Sequence, residues 1–236
     1  MWLRVFGFLA LLFAAAVPAF SAITYVNGVA TAGSTMGALN VTTGNMVVAC
    51  ALYQTGGASV TAADTAGNTY VALPQQVRGT DFAYGVWCFY VLNATGNASN
   101  IVTFSGPFIY EGAVAQYSGV ATSAALDVTN KGAGGNSITA TTQSFSTTTA
   151  NQLILISGPA ENWALVSTDI AGTAGNVRVT APNGTITIAD RIVASIQSSV
   201  TASMTNTSSQ KWAIVAYSFK EAAAATTQQR RVIVIQ

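Results

Sequence analysis

The sequence predicts an all-β protein: a two-layer antiparallel β-sandwich, jelly-roll-like, built from two pseudo-repeated halves. Three observations predict it. Beyond residue 22 the chain shows almost no helical periodicity, and short runs rich in Val, Ile, Thr, Tyr and Phe alternate with turns of Gly, Asn, Ser and Asp. Two runs, Met46–Leu52 (MVVACAL) and Gln152–Ile156 (QLILI), are nearly continuous in apolar residues, the pattern of strands covered on both faces. The chain also echoes itself. TTGN at Thr42 returns as TTAN at Thr148, 106 residues on; TAGN at Thr65 returns at Thr173, 108 residues on; AQYSG around Tyr117 returns as VAYSF around Tyr217, 100 residues on.

The first segment reads as an export signal. Arg4 supplies a positive start, Val5–Val17 an apolar core, Pro18 a break, and Ala19 and Ser21 the small residues of a cleavage site after Ser21. An uncleaved anchor is the alternative, but the run is shorter than the ~20 residues of a helical span. No later segment is long and apolar enough to cross a bilayer as a helix, so no transmembrane span is expected in the mature chain. The expected location is secreted, extracellular or at the cell surface, with the periplasm as a further option.

Residues 22–220 are expected to form one β-sandwich domain, with halves of about 42–120 and 148–220. Strands are expected at Ile23–Val26, Met46–Tyr53, Ser59–Ala62, Thr69–Leu73, Phe82–Leu92, Ile101–Ser105 and Glu111–Tyr117. The second half should supply Ser137–Phe145, Gln152–Ser157, Leu165–Thr168, Val177–Thr180, Thr185–Ser195 and Lys211–Phe219. Asp64–Asn68 (DTAGN) reads as a hairpin turn, since Asp and Asn bond their own backbone and Gly67 tolerates a left-handed conformation. Each half alone would bury a marginal core with open edges. One shared sandwich is therefore favoured over two small ones.

Residues 221–236 read as a linker followed by a C-terminal strand or tail. Glu221–Gln229 is polar and small; RRVIVIQ then places Arg230 and Arg231 before four β-branched residues, Val232–Ile235. Such a segment can close its own sheet, add to a neighbour's edge, or stay loose.

Composition narrows the function. The chain is 50% hydrophobic and only 7% charged, with a formal net charge of +1 that falls to about zero without Arg4. Nucleic acid needs a basic surface, and polybasic membrane docking is excluded on the same ground. Low charge and a Thr/Ser/Asn surface favour association instead. The chain has no His, which removes Ser-His-Asp and Cys-His catalysis and His-ligated zinc. There is no phosphate-cradling glycine loop of the Walker type. Glu111 and Glu161 sit beside aromatics (IYEG, ENWA), the context of a sugar-cleaving acid, but no motif pairs them. Asp64 and Asn68 are weak calcium candidates, because calcium takes about six or more oxygens. No enzyme activity, metal or cofactor is expected.

Cys50 and Cys88 both lie mid-strand, and the sequence allows either a disulfide or two buried thiols. Tyr84, Trp87, Phe89 and Tyr90 cluster in YGVWCFY, Phe108 and Tyr110 follow in GPFIYEG, and Trp163 lies in ENWA. Aromatic faces of this kind can stack on sugar rings; the alternative is a strand buried on both sides. Asn40, Asn93, Asn97, Asn183 and Asn206 head Asn-x-Ser/Thr triplets, which a chain this rich in Thr and Ser holds by chance.

DTAGNTY at Asp64–Tyr70, YSGV at Tyr117–Val120 with Leu126–Asp127, and KWAIVAYSFK closing at Trp212–Phe219 resemble β-sandwich modules of exported bacterial proteins and some phage structural proteins. The resemblance spans roughly residues 23–220 and implies the fold but no catalytic residues. The expected function is a secreted, non-catalytic structural or adhesive protein, self-associating through edge strands or the tail. A polysaccharide-binding module and a phage or virion-associated structural protein are the alternatives.

Overall fold

The computed structural model describes residues 22–54, 59–78, 84–106, 108–129, 131–159 and 164–223. The export signal, the RRVIVIQ tail, Glu161 and Trp163 lie outside the described residues.

The first half supplies β1 (Thr24–Ala32), β2 (Leu39–Val41), β3 (Met46–Gln54), β4 (Thr61–Asp64), β5 (Val71–Ala72), β6 (Gln76–Val77), β7 (Tyr84–Val91), β8 (Asn97–Asn100), β9 (Val102–Ser105) and β10 (Ile109–Ser118). The second supplies β11 (Leu126–Val128), β12 (Ala133–Thr141), β13 (Gln152–Pro159), β14 (Leu165–Ile170), β15 (Asn176–Thr180), β16 (Ile186–Val193) and β17 (Ala202–Lys220). The described residues form no helix, and none could cross a membrane as one.

Two antiparallel sheets face each other, one from each half. Their strand orders are β1-β10-β3-β7-β5 and β11-β17-β13-β16-β15. Position by position this is one topology used twice, with the double-covered run (β3 or β13) at the centre. β1 packs on β15, and β6 on β12. A twofold axis along the strands, midway between the sheets, produces this pairing. The repeat read in the sequence is thus a repeat of architecture.

Met46, Val48, Cys50 and Leu52 of β3 point into the space between the sheets, where Leu153, Leu155, Ile186, Ile188, Val215 and Tyr217 meet them. Val47, Ala49 and Ala51 point the other way and are covered by Leu39, Val41, Val102 and Phe104 from the β2–β8 and β4–β9 pairs. Ile154 and Ile156 of β13 are covered likewise by Ala140, Phe145, Ile170, Ala202 and Met204. The sandwich is therefore flanked on both outer faces by a further layer. Cys50 and Cys88 lie directly opposite each other on β3 and β7 and form a disulfide within the inner core.

Several boundaries differ from those the sequence predicts. β17 begins at Ala202, not Lys211: Ala202, Met204 and Asn206 are buried, while the polar residues between them hide the alternation. Residues 202–206 belong to the outer layer beside β14, and residues 210–220 to the inner sheet and its β12 edge. β12 runs Ala133–Thr141, earlier than expected, because Gly134 and Gly135 are strand residues. A Cβ on Gly135 would come within 2.7 Å of the Trp212 ring, so the glycine makes room for that indole. The short strands β2, β6, β8 and β11 are too brief and polar to show in the sequence.

The echo at TAGN is out of phase. In the first copy the turn is Asp64–Gly67, where Gly67 has φ 75°. In the second, Asp169 and Gly172 occupy those places: Gly172 has φ 73° and its N–H donates to Asp169 Oδ1 at 2.9 Å. Asn176 of the second TAGN already opens β15.

Two stability outcomes follow from this packing. Gly28 lies where β1 meets β15, and a Cβ there would be 2.4 Å from Val179 Cγ2 and 2.7 Å from the Val114 carbonyl. Gly28→Ala should lower unfolding free energy by about 1–3 kcal/mol in urea. Replacing Cys50 and Cys88 together by Ala should cost roughly 2–4 kcal/mol, the usual range for a disulfide closing a loop of this size.

Candidate functional site

The polar groups of this chain are mostly engaged in holding turns. Asp64 Oδ1 accepts from the N–H groups of Ala66 (3.1 Å) and Asn68 (2.9 Å). Its Oδ2 accepts from Asn68 Nδ2 (2.8 Å), Asn100 Nδ2 (2.9 Å) and the Tyr70 hydroxyl (3.2 Å). Burial opposes the charge, but the bonds from Asn68, Asn100 and Tyr70 outweigh it and hold the carboxyl below the usual aspartate value. Tyr70 is pushed up by burial and by that carboxylate. Both oxygens are occupied by donors, so DTAGN is a turn lock.

The two Thr-Thr-x-Asn segments lead into β3 and β13 but are anchored differently. The Thr42 N–H donates to Gln116 Oε1 at 2.6 Å, and Gln116 Nε2 donates to Asn27 Oδ1 and the Asn40 carbonyl. In the second copy Asp127 takes that place, accepting from the Thr148 N–H (2.7 Å), the Thr148 hydroxyl and Gln152 Nε2 (2.7 Å), with Lys220 Nζ at 3.5 Å. Burial again works against ionisation, and the bonds from Thr148 and Gln152 with the Lys220 charge pull the Asp127 carboxyl below its ordinary value. The left-handed residue also shifts, from Gly44 (φ 90°) to Asn151 (φ 52°). Both segments serve packing.

Two buried acids join the sheets or their edges. Glu111 of β10 accepts from the N–H groups of Asn183 (3.0 Å) and Thr185 (3.3 Å) and from the Thr185 hydroxyl, tying the first sheet to the β15–β16 turn of the second. Asp190 of β16 accepts from Arg178 Nε at 2.8 Å, and the Arg178 guanidinium lies 4.8 Å from the ring centre of Tyr25 on β1. Glu111 is thus a cross-sheet tie, its oxygens taken up by the turn.

The aromatic candidates separate. Tyr84 and Tyr90 pack towards the inner core, Tyr90 edge-on to Phe219 at 5.4 Å. Trp87 is on the opposite face of β7, with Nε1 donating to the Leu73 carbonyl at 2.8 Å and its ring stacked on Phe89. The structure therefore brings Tyr84, Trp87 and Tyr90 to no common surface, since β7 is covered on both sides. It does bring Tyr84 to Tyr110, edge-on at 5.3 Å, with the Arg78 guanidinium 4.6 Å from the Tyr84 ring centre. Phe108 and Gln54 complete this end of the first sheet. Phe108 is among the aromatics the sequence offers, beside Tyr110 in GPFIYEG, whereas Gln54 carries no signal there.

The outer layer of the second half carries two polar rows, mostly hydroxyls. Thr139, Thr205 and Ser167 align across β12, β17 and β14, as do Thr141, Ser203 and Asp169. Among the described residues the free edges are blunted: β1 is bulged between Tyr25 and Asn27, β15 between Val177 and Val179, β14 between Leu165 and Ser167, and β5 and β6 have two residues each. Asn27–Ala32 is the longest regular run left on such an edge.

The Asp64 lock has a pH consequence. Its folded pKa lies below the unfolded one, so its stabilisation is present above about pH 4 and is lost as pH falls through the folded value. Asp64→Asn would set an amide N–H against the Asn68, Asn100 and Tyr70 donors. It should cost about 2–3 kcal/mol at pH 7 and flatten the loss of stability between about pH 5 and pH 2, read from urea unfolding at each pH.

Comparison of the chain with protein-family models, curated proteins and solved structures gives no match.

Proposed function

We propose that this chain is an exported, non-catalytic β-sandwich that works through its surface, as a structural or adhesive protein outside the cell or on its face. The observation that carries the reading is how the polar chemistry is distributed. Glu111 and Asp190 are buried and bonded within the fold, Asp64 and Asp127 lock turns, and the outer layer of the second half presents rows made mostly of Thr and Ser. Such a molecule offers contact area rather than a reacting group. The export signal read at residues 1–21, the Cys50–Cys88 disulfide and the resemblance to exported sandwich modules support the location. Self-association is the favoured mode of contact. Asn27–Ala32 is the acceptor edge best suited to it, and Val232–Ile235 the segment that would be donated.

The test is light scattering on the exported protein with and without residues 224–236, together with the mass of its N-terminus. Cleavage after Ser21 and oligomers that vanish on truncation are expected. An uncleaved chain retained in the cytoplasm, or a monomer in both forms at high concentration, would remove the reading.

A further inference from the structure

We infer that the end of the first sheet bearing Phe108 and Tyr110 is a binding site for neutral polysaccharide. The two halves act as each other's control. In both, the chain crosses from the outer layer to the inner sheet, from β9 to β10 in the first and within β17 in the second. The second half crosses with Asn206, Thr207, Ser208 and Ser209. The first crosses through Gly106 and Phe108 and then Tyr110, and both rings stay open to water: Phe108 is 67% exposed and Tyr110 41%.

Phe108 also has φ 53°, a left-handed conformation that a bulky aromatic rarely adopts. Strain of this kind persists where the surroundings enforce it, and it is concentrated at binding sites. Gln54 does the enforcing. Its N–H donates to the Phe108 carbonyl at 3.1 Å, and its Oε1 accepts from the Tyr110 hydroxyl at 3.2 Å. The Gly33 N–H holds the Tyr110 carbonyl at 2.6 Å, and the Tyr84 ring braces the Tyr110 ring. The Tyr110 ring and the Phe108 backbone are fixed before any ligand arrives, which reduces the entropy lost on binding.

The chemistry selects the ligand. An aromatic face covers the C–H face of a pyranose, while a phenol and a side-chain amide meet its hydroxyls. Among the described residues the nearby charged groups, Arg78 and Glu111, are buried, 3% and 1% exposed, so they offer no ionic contact to a uronate or a sulfated chain. The inference rests on the adhesive reading for its setting, but its test is separate.

The test is affinity electrophoresis of the exported protein in gels containing xyloglucan, mixed-linkage β-glucan, galactomannan or alginate, with Phe108→Gly and Tyr110→Ala beside the parent chain. At least one neutral polymer should retard the parent. Phe108→Gly should weaken that retention by about tenfold or more while keeping the melting temperature, because glycine accepts the same φ without strain. No retardation by any neutral polymer, retardation by alginate alone, or full retention in Phe108→Gly would each overturn the site. Light scattering on the same variants separates the two ideas: loss of sugar binding with unchanged assembly leaves self-association standing, and a sugar-binding monomer does the reverse.

Discussion

Met46–Tyr53 and Leu153–Ile156 are apolar on both faces, and a sheet centred on such a strand cannot leave either face in water. Each buried Val, Leu or Ile contributes about 1.5–3 kcal/mol relative to exposure. Facing the two sheets together covers one side of each centre. It also means that one half could not stand by itself, since Val48, Leu52 and Val86 would lose Leu153, Leu155 and Ile188. The other side demands the outer layers, and the chain makes them by extending strands past the sandwich. β17 runs from the outer layer into the inner sheet, and the β9–β10 path does the same with a break. The shape of the whole molecule follows from the two centres.

A core of this extent leaves little room for charge, and the few charged groups are placed where the backbone needs them. Burying an unpaired carboxylate is costly, so each buried acid is matched by donors. Glu111 takes donors from a turn of the opposite sheet, and Asp190 takes the Arg178 guanidinium beside Tyr25. The Glu111 bonds and the Arg178–Tyr25 contact join residues distant in sequence, and both fix how one half sits on the other. Apolar packing brings the sheets together without direction; these contacts supply direction.

The same logic separates what was legible in the sequence from what was not. The centres were plain because an apolar run with no polar alternation is what a strand covered on both faces requires. The repeat at Tyr117 and Tyr217 falls on corresponding strands but not on matching positions, since Tyr117 stands opposite Met46, the first residue of β3, and Tyr217 opposite Leu155, the fourth of β13. The match at TAGN was misleading: turns are specified by where a left-handed residue and an acid fall, and a string of small residues can coincide without sharing a role. The start of β17 was hidden because its outward side chains are Thr and Ser, which also spell loops. The cysteines could not be paired from sequence because adjacency depends on register, and the register of β3 on β7 puts them face to face. The alternation along YGVWCFY separates Tyr84 and Tyr90 from Trp87, but which end of the sheet exposes rings depends on the left-handed turn at Phe108 and the register shift between Ile109 and Glu111.

Because the halves share a topology, their common features describe what the architecture needs, and their differences describe what it does not need. The centres, the Asp-led turns and the crossing from outer layer to inner sheet are common. The anchors of the lead-in segments differ, Gln116 in one and Asp127 in the other, yet both satisfy backbone groups of the same lead-in, so that difference is two solutions to one structural demand. The crossing is another matter. A polar bulge at residues 206–209 makes it in the second half without displaying a large side chain, while the first half makes it with a left-handed phenylalanine held open to water. A feature that is strained, exposed and absent from its structural twin has no packing role to account for it. Other apolar side chains reach the surface, Val166 and Ile196 among them, but at this crossing one half departs from what folding requires.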